Sequence, residues 1–155
     1  MRYLAIDLGD RRTGLASGDD ESGIVSAVGV IELPMKPGDA LLDALLKAAS
    51  EHEPDELVVG LPYNMDGSEG SRAKLVRVFV ERLNAQVNLP VRYQDERLTS
   101  VQADWEMARS GMTHKQKKQK RDALAAAAIL RDYLASLGSD GDDDSLGESV
   151  DDDAG

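Results

Sequence analysis

RYLAIDLGDRRTG, residues 2–14, begins as an alternating strand and runs into a turn at Gly9, with one acid, Asp7, among its apolar residues. The two-residue period of a strand puts Asp7 on the opposite pleat face from Leu4, Ile6 and Leu8, at the strand's C-terminal end. Two more apolar or β-branched stretches follow, RTGLAS and IVSAVGVIEL, separated by the turn-rich GDDESG, so the chain is expected to open with a three-strand meander.

Periodicity then changes. DALLDALLKAASEH (39–52) puts Leu41, Leu42, Leu45, Leu46 and Ala49 on one stripe between Pro37-Gly38 and Pro54, the pattern of an amphipathic helix. ELVVGL is a continuous apolar run, as in a strand covered on both faces, and it empties into the loop PYNMDGSEGSR. Val76, Phe79, Val80, Leu83 and Val87 repeat at helical spacing, and VRYQ reads as a fifth strand. A helix carrying Val101, Trp105 and Ala108 inward is expected next, and a last one from about Lys117 to Leu137. The order β-β-β-α-β-α-β-α-α implies an α/β domain with a mixed five-stranded sheet, antiparallel in its first half and parallel in its second.

At 155 residues the chain is one domain's length, and 41% hydrophobic residues suffice for a core. It has no cysteine, which removes disulfides and thiolate metal sites, and no apolar run approaches a membrane span. The expected address is the cytoplasm, without membrane partners. Eight of the 29 acidic residues stand in 139–155 with no base among them, leaving 21 acids against 18 bases in the body. The domain is therefore drawn over 1–138, and 139–155 reads as a disordered acidic tail, a solubility device or a phosphate mimic.

Glu96 stands at the end of the VRYQ strand, and Asp122 shares a helical stripe with Ala125, Ala126, Ile129 and Tyr133. Strand C-termini in sheets with parallel strands are where ligand sites form, so Asp7, Glu96 and Asp122 are candidates to converge. Three converging carboxylates repel one another unless cations neutralise them, and hard divalent ions with oxygen ligands suit that task. A pair of Mg²⁺ or Mn²⁺ ions would then hydrolyse a phosphodiester, with Asp7 as bridging ligand. Each acid also has a plain reading. Asp7 could serve its turn or meet Arg11 and Arg12, Glu96 could pair with Arg97, and Asp122 could sit at a helix N-terminus.

KQKKQKR (115–121) places Lys115, Lys117, Lys118, Lys120 and Arg121 immediately before Asp122, where a nucleic acid's phosphates would need positive charge. In the loop, Gly67 and Gly70 free backbone N–H groups at a helix start beside Ser68, Ser71 and Arg72. Arg11 and Arg12 are further phosphate candidates.

Four blocks, AIDLGDRRTGLA, VVGLPYNMDGSEGSRA, YQDERLTS and KRDALAAAAIL, together resemble the YqgF (RuvX) family, described both as Holliday junction resolvases and as pre-16S ribosomal RNA nucleases. The resemblance implies an RNase H-like fold and a metal-dependent nuclease site mapping onto Asp7, Glu96 and Asp122. With it, the loop residues, Asn64 included, and Arg97 read as substrate-positioning groups. Tyr63 stands where the family more often has leucine and reads as pocket lining. Partners would be structured RNA such as pre-16S rRNA, a ribosome precursor, or branched DNA, met by a monomer or a homodimer. Two rivals remain in this reading. One is a domain of this topology that binds nucleic acid without cutting. The other is the phosphate loop of sugar-kinase and actin-like ATPases, whose duplicated domain this chain is too short to hold.

Overall fold

The computed structural model describes residues 1–96 and 114–147, with side chains described up to 96 and over 120–137. Five strands, β1 (Arg2–Leu8), β2 (Thr13–Asp19), β3 (Val25–Ile31), β4 (Glu56–Leu61) and β5 (Val91–Asp95), form one sheet in the order β3-β2-β1-β4-β5. β1–β2 and β2–β3 pair antiparallel, whereas β1–β4 and β4–β5 pair parallel, so the sheet is mixed as the element order implies.

Leu4, Ile6, Leu8, Leu57, Val59 and Leu61 point to one face and pack against α1 (Asp39–His52) and α2 (Ser71–Gln86). In α1, Leu41, Leu42, Leu45, Ala48 and Ala49 are buried, with Leu46 at the margin. Gly38 opens this helix in the left-handed region (φ 87°), a conformation that suits glycine because it has no Cβ to clash. Glu53 closes it at φ 49°, its N–H donating to the Ala49 carbonyl (3.0 Å), and Pro54 prevents continuation.

The opposite face carries Tyr3, Ala5, Ala16 and Val58 under α3 (His114–Gly147), which contributes Ala126, Ala127, Ile129 and Leu130. Small residues line both sides of this contact. A Cβ at Gly14 would overlap the Asp122 carbonyl, and one at Gly18 would crowd the Leu130 side chain. Tyr3 and Tyr133 meet edge to face at 5.7 Å farther along the helix.

α3 is longer than its sequence pattern implies. It begins at His114, so Lys115 to Arg121 occupy its opening turns and Asp122 lies beyond the N-terminal turn. Its backbone continues to Gly147, past the boundary expected at 138; among the described side chains, Leu134 and Leu137 are the last that pack against the sheet. Helical backbone thus enters the segment read as a tail, because once α3 is anchored on the sheet each added residue extends an existing helix without a new nucleation cost. The helix expected around Val101, Trp105 and Ala108 lies outside the described residues, as does Arg97.

Gly14→Ala forces α3 away from β2 and is expected to cost about 3 kcal/mol. Urea denaturation should show a lowered midpoint with an unchanged slope.

Candidate active site

Asp7 is the penultimate residue of β1, on the α3 face and opposite Gly14 of β2. The parallel pairing β1–β4–β5 carries the chain ends forward together, so Glu96, the residue after β5, reaches the same rim. Gly60 makes this possible, since a Cβ there would overlap both the Glu96 carboxyl and Ile129 of α3. The Asp7 and Glu96 carboxyls hydrogen-bond to each other, which requires a shared proton.

Burial pushes the Glu96 carboxyl up to about 9, with the neighbouring Asp7 charge adding to the rise. Asp7 is also raised, first by burial and further by the charge of Asp122, while the Glu96 hydrogen bond and the charges of Arg72 and Arg121 oppose the rise. Two carboxylates that cannot both ionise comfortably form a seat for a hard cation, and their oxygens are the donors that Mg²⁺ or Mn²⁺ prefers.

Asp122 stands beside this pair but is turned to another partner. Its Oδ2 accepts a hydrogen bond from Arg12 Nε at 2.7 Å. Among the described residues, no three acidic or histidine side chains therefore gather closely enough to cage a metal. The convergence read from the sequence is completed for Asp7 and Glu96, whereas Asp122 is held at the rim by an arginine. The plain reading of Asp7 as the partner of Arg11 or Arg12 gives way to this pairing, since it is Asp122 that Arg12 takes.

Arg72 donates to Asp10 Oδ1 (3.0 Å) and to the Leu8 carbonyl (3.3 Å), which pins the start of α2 to the end of β1. In the loop, Asn64 Nδ2 donates to Ser68 Oγ (3.0 Å), and Ser68 donates through N (2.9 Å) and Oγ (2.6 Å) to Asp66 Oδ1. No side chain caps α2. Glu69 is gripped by Arg77 Nε and Nη2, both at 2.7 Å. Ser71, Arg11, Lys120 and Arg121 are exposed, and the side chains of Lys115, Lys117 and Lys118 lie outside the described residues. Tyr63 packs at the margin of the α1–α2 core.

Gly14, Gly60 and Asp10 escaped the sequence reading. A glycine inside a strand, as in RTGLA and VVGLP, is the signal that could have found the first two, because it marks a close approach to that strand.

This arrangement, an acidic rim at the C-terminal ends of parallel strands in a mixed sheet with cations around it, is that of an RNase H-like nuclease, a hydrolase of phosphodiester bonds. Residues 1–136 match the RuvX family, described as Holliday junction resolvase, and the chain belongs to that family. It is 40% identical over 134 residues to an Anaeromyxobacter sp. (strain K) protein named "Putative pre-16S rRNA nuclease", covering 86% of this chain and 96% of that one. A protein of the same name from Moorella thermoacetica is 38% identical over 141 residues, covering 91% and 99%. The fold is similar to Thermus thermophilus RuvC in complex with a Holliday junction substrate (TM-score 0.56, 16% identity, 90% and 97% covered). It is likewise similar to Fowlpox virus resolvase with Holliday junction DNA (TM-score 0.57, 12% identity, 88% and 99% covered). Among the described residues, no helix is long and apolar enough to cross a membrane.

Without divalent metal, the folded protein holds the Glu96 proton that the unfolded chain releases above about 4.5. Stability should therefore fall as pH rises from about 4.5 towards 9. Thermal melts in chelator should show this decline, and Asp7→Asn should weaken it and raise the melting temperature at pH 8 by about 5 °C.

Proposed function

We propose that this chain is a divalent-metal-dependent endonuclease that cuts structured RNA in the 5′ flank of the 16S precursor, acting in the cytoplasm. The paired Asp7 and Glu96 carboxyls at the sheet rim, with Asp122 adjacent, carry this reading. The names of the relatives at about 40% identity supply its substrate.

Asp7, Glu96 and Asp122 would hold Mg²⁺ or Mn²⁺, two ions in the full site. Bound there, such ions lower the pKa of an attacking water and stabilise the leaving oxygen. The chain's own part is positional. On loading, the proton that Glu96 holds against Asp7 would be released, leaving both carboxylates free to act as oxygen donors. Arg72, fixed by Asp10 and the Leu8 carbonyl, supplies a stationary positive charge on the α2 side. Asn64, Ser68 and Ser71 offer polar contacts for the sugar-phosphate backbone, and Arg11, Arg97, Lys115, Lys117, Lys118, Lys120 and Arg121 offset the acids that would otherwise repel the substrate.

The family's description favours a second reading, resolution of four-way DNA junctions, which needs two sites acting together and hence a dimer. End-labelled cleavage of an RNA carrying the 16S 5′ flank and of a four-way junction separates the two. The RNA should be cut in Mg²⁺ or Mn²⁺ and not in chelator, with the rate lost by roughly 100-fold or more in Asp7→Asn and Glu96→Gln. Cutting of the junction alone would establish the second reading, and equal cutting by Asp7→Asn would overturn the assigned site.

A further inference from the structure

We propose that Arg12 is a displaceable counter-cation: it occupies the Asp122 carboxylate in the metal-free protein, yields it to a divalent ion, and then contacts a substrate phosphate. This inference rests on the metal site proposed above.

Three observations carry it. The first is the way Arg12 is held. Asp122 Oδ2 is its one hydrogen-bonding partner among the described residues, reached through Nε alone at 2.7 Å, which leaves both terminal nitrogens of the guanidinium to other acceptors. Arg77, by contrast, binds Glu69 through two nitrogens and stacks over Tyr93 at 4.7 Å, and Arg72 has two separate acceptors. Of these three arginines near the rim, Arg12 is therefore the one that can change partners at least cost.

The second is where it stands. Arg12 precedes β2 by one residue, and Gly14, two residues on, lies opposite Asp7 and directly beneath the Asp122 backbone. The guanidinium is thus at the mouth of the acidic rim, with a side chain 36% exposed against 23% for Asp122. A substrate phosphate approaching the rim can reach it.

The third is the state of the acids. Asp122 lies beside the Asp7–Glu96 pair but is engaged by Arg12, and the described residues contain no complete acidic cage. A divalent ion carries twice the charge of a guanidinium and prefers the same carboxylate oxygen, so it competes directly with Arg12. Phosphate then offers the released guanidinium a bidentate acceptor of the kind it lacks on Asp122.

Metal and nucleic acid should consequently help each other bind, with Arg12 carrying the coupling. Arg12→Gln removes the competitor, so its Mn²⁺ affinity, measured by calorimetry, should tighten by about threefold, the scale of a partly exposed ion pair. Arg12→Lys, which keeps the charge and guards against a folding defect, should stay near wild type. In the wild type, the Arg12 Nε–H resonance should be protected without metal and lose that protection in saturating Mg²⁺. Binding of a labelled 16S-flank RNA should be the same for wild type and Arg12→Gln in chelator, and about tenfold weaker for the variant in Ca²⁺.

An unchanged or weaker Mn²⁺ affinity in Arg12→Gln would overturn the inference. So would an Nε–H signal indifferent to Mg²⁺, or an equal loss of RNA binding with and without metal. A wild type that binds no Mn²⁺ would overturn the metal site itself, and this inference with it. Wild-type binding without the Arg12 effects would leave the site standing and remove only the role of Arg12.

Discussion

The close approach of α3 to β2 is the constraint on which the rest of the site depends. Helix backbone can reach strand backbone only where side chains are missing, and Gly14 provides that gap directly under Asp122. Ala16 and Ala5 on the sheet, and Ala126 and Ala127 on the helix, keep the two surfaces near each other along the next turns. Ile129 and Leu130 are fully buried here, worth about 2 kcal/mol each, and the Tyr3–Tyr133 contact steadies the helix beyond them. Larger residues at these positions would bury more apolar area, but they would lift Asp122 off the rim. Small residues here trade burial for position.

Position creates an electrostatic difficulty that the fold resolves twice, by different means. Asp7 and Glu96 come from the ends of strands whose register is set by parallel pairing, so neither can move away without breaking the sheet. A shared proton is the remaining answer to their repulsion. Asp122 comes from a helix and faces the β1–β2 turn, where an arginine is available. The two answers differ in kind. The first keeps the pair raised towards protonation until something more positive than a proton's share arrives, and the second keeps a full charge neutralised and in reach of exchange.

Most of the framework could be read from periodicity, because burial writes itself into spacing. The two-residue alternation of RYLAIDL assigned Asp7 to its face correctly, and the leucines of 39–52 traced α1 to its ends, since Gly38 and Pro54 punctuate it. Of the stripe through Asp122, Ala125, Ala126, Ile129 and Tyr133, Ala126 and Ile129 are buried against the sheet, Tyr133 packs at its margin, and Asp122 and Ala125 are half-buried. Pairing between distant residues was not legible in this way. Arg12 and Asp122 are 110 positions apart, and nothing local distinguishes Arg12 from Arg11, although one grips an acid and the other is exposed. Glu69 and Arg77 are likewise joined across the start of α2 by two parallel charge-assisted bonds that no local pattern announces. The C-terminal end of α3 lies beyond the reach of its apolar spacing for a similar reason. Composition argued against independent order in 139–155, whereas a helix already docked upstream carries its backbone to Gly147.

The cations around the rim differ in stiffness from one side to the other. On the α2 side, Arg77 clamps Glu69 and stacks on Tyr93 of β5, Asn64 and Asp66 fix Ser68, and Arg72 is pinned at two points, so loop, helix start and strand end move as one body. On the α3 side, Arg12 is held by one hydrogen bond among the described residues. A rigid wall fixes where a phosphate chain can lie, because its charges do not reorganise when the substrate arrives. A yielding wall lets charge be redistributed once a cation enters the rim. Register would then come from the α2 side and coupling from the α3 side, which explains why the fold locks one set of arginines into ion pairs and leaves the other tied to the carboxylate that a metal would claim.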